Sequence, residues 1–549
     1  MNKITRPFLV TPPVIFKFKE TINCTSNCNM EVFPKPIAKC TVAPLSAEPE
    51  LDEERAQFKK LQQNFASQFE SSFPDRMAPK TVVIVPSLTL DSEILQKIDG
   101  ANYYEERMLC LLMLLRMPRT HVVYVTSMPI DPAIVDYYLH LLPGITAYHA
   151  VQRLTLLSCF DASSCSLTEK ILARPRLLKR IKDCIQDRFQ AHLSCFNVTE
   201  AERKLSVALE IPVFGCDPDL QDLGNKSNSR KLFRTCGIPT PTGYEDLYTK
   251  EDIADALHQL KMDEPGLRKA VVKINEGFSG DGNAIFSFEN APNGSKLFTW
   301  LNDHLLENLH VIAKDLTPEK FMQKFGAAGG VVEVFIEGDR KHSPSVQCRI
   351  NPLGKIEIIS THDQMLGGES GQVYLGASFP ARQEYAPMIA EMGRKIAEEL
   401  RFYGVLGRFA VDFISVHNGD EWKHYAIEIN LRKGGTTHPF LMLEFLTNGI
   451  YHADKGMYYA ANGQPRFYVC SDNLQSDLYK GLTPHDMIDI AMCSDLLYDG
   501  STQEGVMFHL ISALSQYGKL GVVCIGATPE HAEHYYRKIV DVLNREGRR

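Results

Sequence analysis

The sequence predicts a chain of mixed α/β and α+β class, with an α/β region first, a two-lobed α+β region second and a small α+β region last. Three observations predict it. Apolar strand runs alternate with helical runs between residues 81 and 159, the order that gives a parallel sheet with crossover helices. Two further strand runs flank a glycine-rich loop at 275–283, and residues 407–440 read as a hairpin crowded with acids, an amide and cations. At 549 residues the chain is too long for one core. It divides into an extended arm (1–50), the α/β region (51–223), the two lobes (224–445) and the small carboxy-terminal region (446–549).

Composition narrows the class. Hydrophobic content of 44% and charged content of 23% are ordinary for a folded chain. A net charge of -8 and a pI near 6.1 give no general attraction to nucleic acid, so any basic groove is local. The 14 cysteines form no close CxxC pair, Cys24 and Cys28 being the nearest approach, and are expected as free thiols in a reducing cytoplasm. No run approaches the roughly 18 apolar residues that span a bilayer. Pro7, Pro12 and Pro13 interrupt the amino-terminal stretch, which does not read as a secretory signal.

In chain order, residues 1–50 hold scattered prolines and no periodicity. Phe58, Leu61, Phe65 and Phe69 recur at spacings of three and four, which predicts one amphipathic helix over 52–73. Strands follow at 81–85, 121–126 and 154–159, with helices at 103–115 and 134–142 between them. No GxGxxG follows these strands, so dinucleotide binding is not supported. The region closes near Gly215 to Pro218.

Lys226, Arg230, Lys231 and Arg234 then share a short basic helix, followed by a helix over 250–260. The strands at 270–274 and 284–288 enclose the loop NEGFSGDGN, an arrangement distinct from the Walker loop, which a helix follows. Taken alone it is a glycine-containing hairpin loop. It can also fold over phosphates, with small residues admitting backbone N–H groups to the oxygens and Lys273 supplying a point charge. Residues 330–338 are apolar with two spaced acids; alone they are a strand. Such a segment can offer backbone groups to an adenine edge, Phe335 or Ile336 to its face and Glu337 to a ribose hydroxyl. A hairpin over 345–360 leads to His362 and Asp363, read as a local hydrogen bond, and a helix covers 387–400. Beyond residue 446, strands are expected at 466–470 and 520–525 and helices at 505–517 and 529–543, with no catalytic grouping.

The hairpin over 407–440 carries the chemistry. Phe409, Val411 and Phe413 alternate with Arg408, Ala410 and Asp412, and Tyr425, Ile427 and Ile429 with Ala426, Glu428 and Asn430, so Glu428 and Asn430 share a face. A two-residue turn at Asn418-Gly419 would set Asp412 and Glu428 on opposite faces. A longer loop or a bulge would bring them together, and that arrangement is expected. Two carboxylates and an amide oxygen are hard ligands suited to magnesium, which takes its other oxygens from water and phosphate. Arg432 and Lys433, on a backbone loosened by Gly434 and Gly435, suit a site that holds anions beside metal.

The order of these pieces resembles the ATP-grasp superfamily, in which two α+β lobes hold ATP and a carboxylate is phosphorylated. More narrowly, KSNSRKLF, VVKINEGFSGDGNAIF, THDQMLGGESGQVYLG and IEINLRKGGTTHPF resemble the family of the peptide ligase of pheganomycin biosynthesis, from about residue 75 to the end. The resemblance implies a Rossmann-like pre-ATP-grasp domain, the ATP-grasp domain and a small carboxy-terminal domain. It implies Lys226 and Lys273 as ATP-phosphate lysines, Ser279, Gly280 and Gly282 as the phosphate-covering loop, and Glu333, Val334, Phe335 and Ile336 as the adenine hinge. It also implies Asp412, Glu428 and Asn430 as ligands of Mg2+, with Mn2+ as a substitute, and Arg432 with Lys273 as the groups that steady the reacting phosphate. Arg340 stands where many relatives have the ribose glutamate, and Glu337 takes that part here. The expected partners are a small carboxylic acid and an amine, an amino acid or peptide, with neither membrane nor nucleic acid. An ATP-dependent carboxylate–amine ligase is the activity implied. A nucleotide-binding regulatory or RNA-binding protein without turnover is the alternative.

Overall fold

A computed structural model describes residues 48–90, 92–277, 282–313, 316–338, 340–367, 373–419 and 421–548. The extended arm and both Cys24 and Cys28 lie outside them. The first region is a parallel four-stranded sheet of β1 (Lys80–Val85), β2 (Thr120–Thr126), β3 (Leu154–Ser158) and β4 (Ala191–Cys195), ordered β3-β2-β1-β4. Its strands are apolar on both faces because helices cover both. The Glu48–Ser72 helix contributes Phe58 to one side, and a 3-10 helical segment, Ala101–Arg116, contributes Leu109 and Leu112 to the other.

The first lobe is a five-stranded antiparallel sheet of β5 (Gly243–Leu247), β6 (Lys269–Ile274), β7 (Asn283–Ser287), β8 (Leu309–Val311) and β9 (Gly330–Val334), ordered β5-β9-β6-β7-β8. The Lys250–Asp263 helix packs Ile253, Leu257 and Leu260 into its core. The second lobe is built on β10 (Arg340–His342), β11 (Pro344–Ile350), β12 (Ile356–Gly367), β13 (Val373–Phe379), β14 (Gly407–Asn418) and β15 (Glu421–Asn430). The Ala386–Phe402 helix covers one face of it through Ile389, Ile396 and Leu400.

After a small ribbon, β16 (Ile450–His452) and β17 (Met457–Tyr459), the sheet of the second lobe continues into β18 (Phe467–Gln475), β19 (Gly505–His509) and β20 (Lys519–Gly526). β13 pairs with β18, so one nine-stranded sheet crosses residue 446.

Two expectations are corrected here. Residues 505–517 do not form one helix: 505–509 are a strand paired with β20, and only Ala513–Tyr517 is helical. Val506, Met507 and Phe508 are all buried, so the strand lacks alternation, and Gly505 and Leu510 carry positive φ that no helix accepts. Among the described residues the cysteines are free thiols except Cys165, which is disulfide-bonded. No helix among the described residues is long and apolar enough to cross a membrane.

Candidate active site

The hairpin of β14 and β15 is brought into use by a bulge. The ladder closes at Asn418 opposite Glu421, and in unbroken register Asp412 would face Ile427. The register slips by one residue between Asp412 and Phe413, and Asp412 comes opposite Glu428 and Ala410 opposite Asn430. Asp412, Glu428 and Asn430 therefore share the face that lines one cavity of about 360 Å³ between the lobes.

Lys226, Lys273, Gly277 and Gly282 also line this cavity, and Glu333, Val334, Phe335 and Ile336 form its hinge wall. Arg432 and Gly434 border it next to the acids. Lys226 sits at the start of the Lys226–Thr235 helix, whose N-cap is Asn225, bonded to the Asn228 N–H at 2.8 Å. The Asn275 side chain ties that helix to the end of β6 by accepting from the Ser227 N–H (3.0 Å) and hydroxyl (2.7 Å). At the base of the glycine loop, a Cβ on Gly277 would meet the Gly282 Cα at 3.1 Å. A side chain there would push the backbone apart by a few tenths of an ångström. Ser279 and Gly280 lie outside the described residues.

Charge is balanced in pairs. The buried Glu333 accepts from Arg230 at 2.5 Å and from Lys273. Burial opposes its charge, but Lys273 and Arg230 outweigh that and hold the carboxyl below its ordinary range. Lys226 stands 3.5 Å from Glu428. Asp412 accepts from Gln364 (2.9 Å) and from the Asn430 amide N–H (3.0 Å), which turns the Asn430 carbonyl oxygen elsewhere. Burial and the neighbouring Glu428 push Asp412 up to about 6. Arg432 is lowered by burial and supported by Glu428 and Asp412.

Two crowded carboxylates, one of them strained toward its neutral form, are donors that a divalent cation relieves, and rotation of the Asn430 amide would add its oxygen. The fit to a magnesium–nucleotide pair rests on this and on the two lysines that line the same cavity.

The structure does not bring every named residue in. Glu337 lies off the cavity wall, pairs with Arg268 at 2.6 Å and borders a separate hollow, because the chain turns outward after Ile336. Arg340 stacks on Trp422, 5.4 Å from the ring centre, and also stays outside. His362 is buried against the Tyr468 hydroxyl (2.6 Å), and Asp363 accepts from the Tyr385 hydroxyl (2.5 Å), so both are local structure. Conversely, Ser345, Gln364, Lys341 and Tyr374 line the cavity without having been marked by spacing. Ser345 lies on β11, which pairs with β14, and Gln364 on β12, the next strand beyond it, so only the sheet order reveals them.

Fold and cavity together have the ATP-grasp arrangement, and the chain resembles the ligases of that superfamily. Within it, residues 218–291 and 295–454 match the family described as IQCH-like, ATP-grasp, and residues 486–539 match the PGM1 C-terminal domain. An L-propargylglycine–L-glutamate ligase of Streptantibioticus cattleyicolor is 28% identical over 466 residues, covering 83% of this chain and 92% of the relative. The IQ motif-containing protein H of Danio rerio is 25% identical over 401 residues, 64% of this chain and 38% of that protein. Among solved structures, the biotin carboxylase of Campylobacter jejuni in complex with an ATP analogue shares the fold at a TM-score of 0.50 and 13% identity, covering 86% of this chain and 96% of the other. The biotin carboxylase domain of Hydrogenobacter thermophilus 2-oxoglutarate carboxylase, solved with MgADP, does so at 0.51 and 12%, covering 86% and 94%.

Proposed function

We propose that the chain is an ATP-dependent carboxylate–amine ligase that joins an amino acid or peptide to a small acid through an acyl phosphate. The observation that carries this reading is the convergence of Asp412, Glu428 and Asn430 on one cavity that Lys226 and Lys273 also line, Lys226 within 3.5 Å of Glu428. In this reading Asp412, Glu428 and Asn430 hold Mg2+, which supplies charge neutralisation at the phosphates. Lys226 and Lys273 bind phosphate oxygens, and the Val334–Ile336 hinge takes the adenine. The backbone at Gly277 and Gly282 closes on the triphosphate. Arg432 stands beside the acids, positioned to draw off charge as the acid's oxygen attacks the γ-phosphorus and the bond to the ADP oxygen breaks. The amine then attacks the acyl carbon, releases phosphate and loses a proton. Positioning and electrostatics carry such transfers, so no side-chain nucleophile is required.

The test is ADP release and product mass spectrometry across paired panels of acids and amines. Wild type forms amide with stoichiometric ADP, and Glu428→Gln loses activity by about a hundredfold or more. Equal turnover in the two proteins removes the metal assignment. A second reading, an ATP-binding protein without turnover, draws on the similarity to the Danio rerio IQ motif-containing protein H. Saturable MgATP binding with no ADP from any acid–amine pair favours it.

A further inference from the structure

A second cavity, of about 460 Å³, lies beside the first and is not used by the reaction above. Arg349 and Arg408 are cross-strand partners on β11 and β14, as are Ser345 and Asp412. Four residues separate the pairs, so both lie on one face, about 13 Å apart. The loop after β15 forms the partition: Arg432 and Gly434 border the first cavity and Lys433 borders the second.

The second cavity carries an uncompensated charge. Its lining holds Arg76, Lys80, Arg116, Arg349, Arg408 and Lys433, against the single carboxylate of Glu444. Some of these cations have partners: Arg349 has Glu357 at 2.5 Å, Lys80 the Asp75 carbonyl at 2.9 Å, and Lys433 the Cys195 carbonyl. Arg408 does not balance in this way. Its side chain is 10% exposed, its nearest carboxylate is Glu444 at 4.0 Å, and its Nη1 is buried with no hydrogen-bond partner. Burial and the facing Arg349 lower its basicity to about 10, and burial lowers Lys433 to about 8. His192, held neutral by burial, adds no charge. The remaining wall is apolar, built from Leu111, Phe214, Leu441 and Phe445.

A buried guanidinium with an unused N–H, facing another arginine, is costly unless an anion completes it. The size and the mixed lining are those of a small-molecule site. We propose that this cavity binds a small organic anion, its carboxylate or phosphate held by Arg408, Arg349 and Lys433 and its apolar body against Leu441 and Phe445. The site goes beyond the metal–nucleotide reading and stands without it, because its ligand is read in nucleotide-free protein.

The experiment is calorimetric titration of the full chain, without nucleotide, with acetate, inorganic phosphate, 3-phenylpropionate and phenyl phosphate. One equivalent of phenylpropionate or phenyl phosphate is expected to bind about tenfold or more tightly than the matching bare anion. Comparison of the carboxylate and phosphate arms identifies the head group. Arg408→Met is expected to weaken that binding by about tenfold or more, and Arg408→Lys by less, with MgATP affinity unchanged. Arg349→Met gives the same reading if Arg408→Met does not fold. Absence of saturable binding by all four probes, or equal affinity in wild type and the methionine variant, overturns the proposal.

Discussion

At the scale of the residue, Asp412 is the most informative group. Its carboxyl is pushed up to about 6 by burial and Glu428, against an unfolded value of about 3.9. The sign of the linkage follows. The metal-free native state holds a proton there that the unfolded chain has lost, so this group's contribution to stability is full below about pH 4 and disappears as pH rises through 6. Magnesium demands the ionised form and opposes that trend. Without metal, wild type is therefore expected to gain thermal stability relative to Asp412→Asn on acidification from pH 7 to 5, measured by melting at matched buffers. The increment of stability that Mg2+ gives wild type is expected to shrink over the same interval. A Mg2+ increment independent of pH would mean that Asp412 is no ligand. Glu333 shows the opposite case: more deeply buried than Asp412, it stays ionised because Lys273 and Arg230 both face it.

At the scale of the element, the site depends on small departures from regular structure. The alternation of β14 and β15 was legible, including the shared face of Glu428 and Asn430. The bulge that sets Asp412 opposite Glu428 was deducible only as a requirement, since no residue type at 427 announces it. Lys273 and Gly282 were legible from charge and loop composition, and Lys226 only through the family resemblance. Lys341 and Gln364 were not, because their role comes from which strands lie side by side. β19 was misread for a related reason: a strand buried on both faces shows no period of two. The glycine loop gives this scale its prediction. The backbones at 277 and 282 pack so closely that a Cβ on Gly282 would stand 3.3 Å from the Gly277 Cα, tight enough that the loop base must shift by a few tenths of an ångström. Gly282→Val is expected to weaken ATP binding by about tenfold or more while the melting temperature falls by only a few degrees, since the change sits at a loop base outside the core. Unchanged ATP affinity would show that the loop does not close on the nucleotide.

At the scale of the whole molecule, the first and last thirds of the sequence share one core. Leu109 and Leu112 of the 3-10 segment, Tyr138 of the first region, and Phe508, Val522 and Leu543 near the end of the chain belong to one buried cluster. A polar anchor crosses the same boundary. Asp472 on β18 pairs with Arg107 of the 3-10 segment at 3.3 Å and accepts from His509 at 2.9 Å, with His438 at 3.2 Å. His438 lies in the first turn of the Thr437–Thr447 helix, which follows the Arg432–Gly435 loop, so the carboxy-terminal strands brace the backbone beside the candidate site. A chain ended at residue 446 would lose the partner of β13, leave that strand as an unpaired edge, and expose the apolar faces of Leu109, Tyr138 and Phe440. Such a truncation is expected to aggregate, and the soluble fraction and its elution on gel filtration measure this. A soluble, monomeric product with wild-type MgATP affinity would show instead that the two lobes fold and bind alone, and that the shared sheet and core contribute nothing to the cavity.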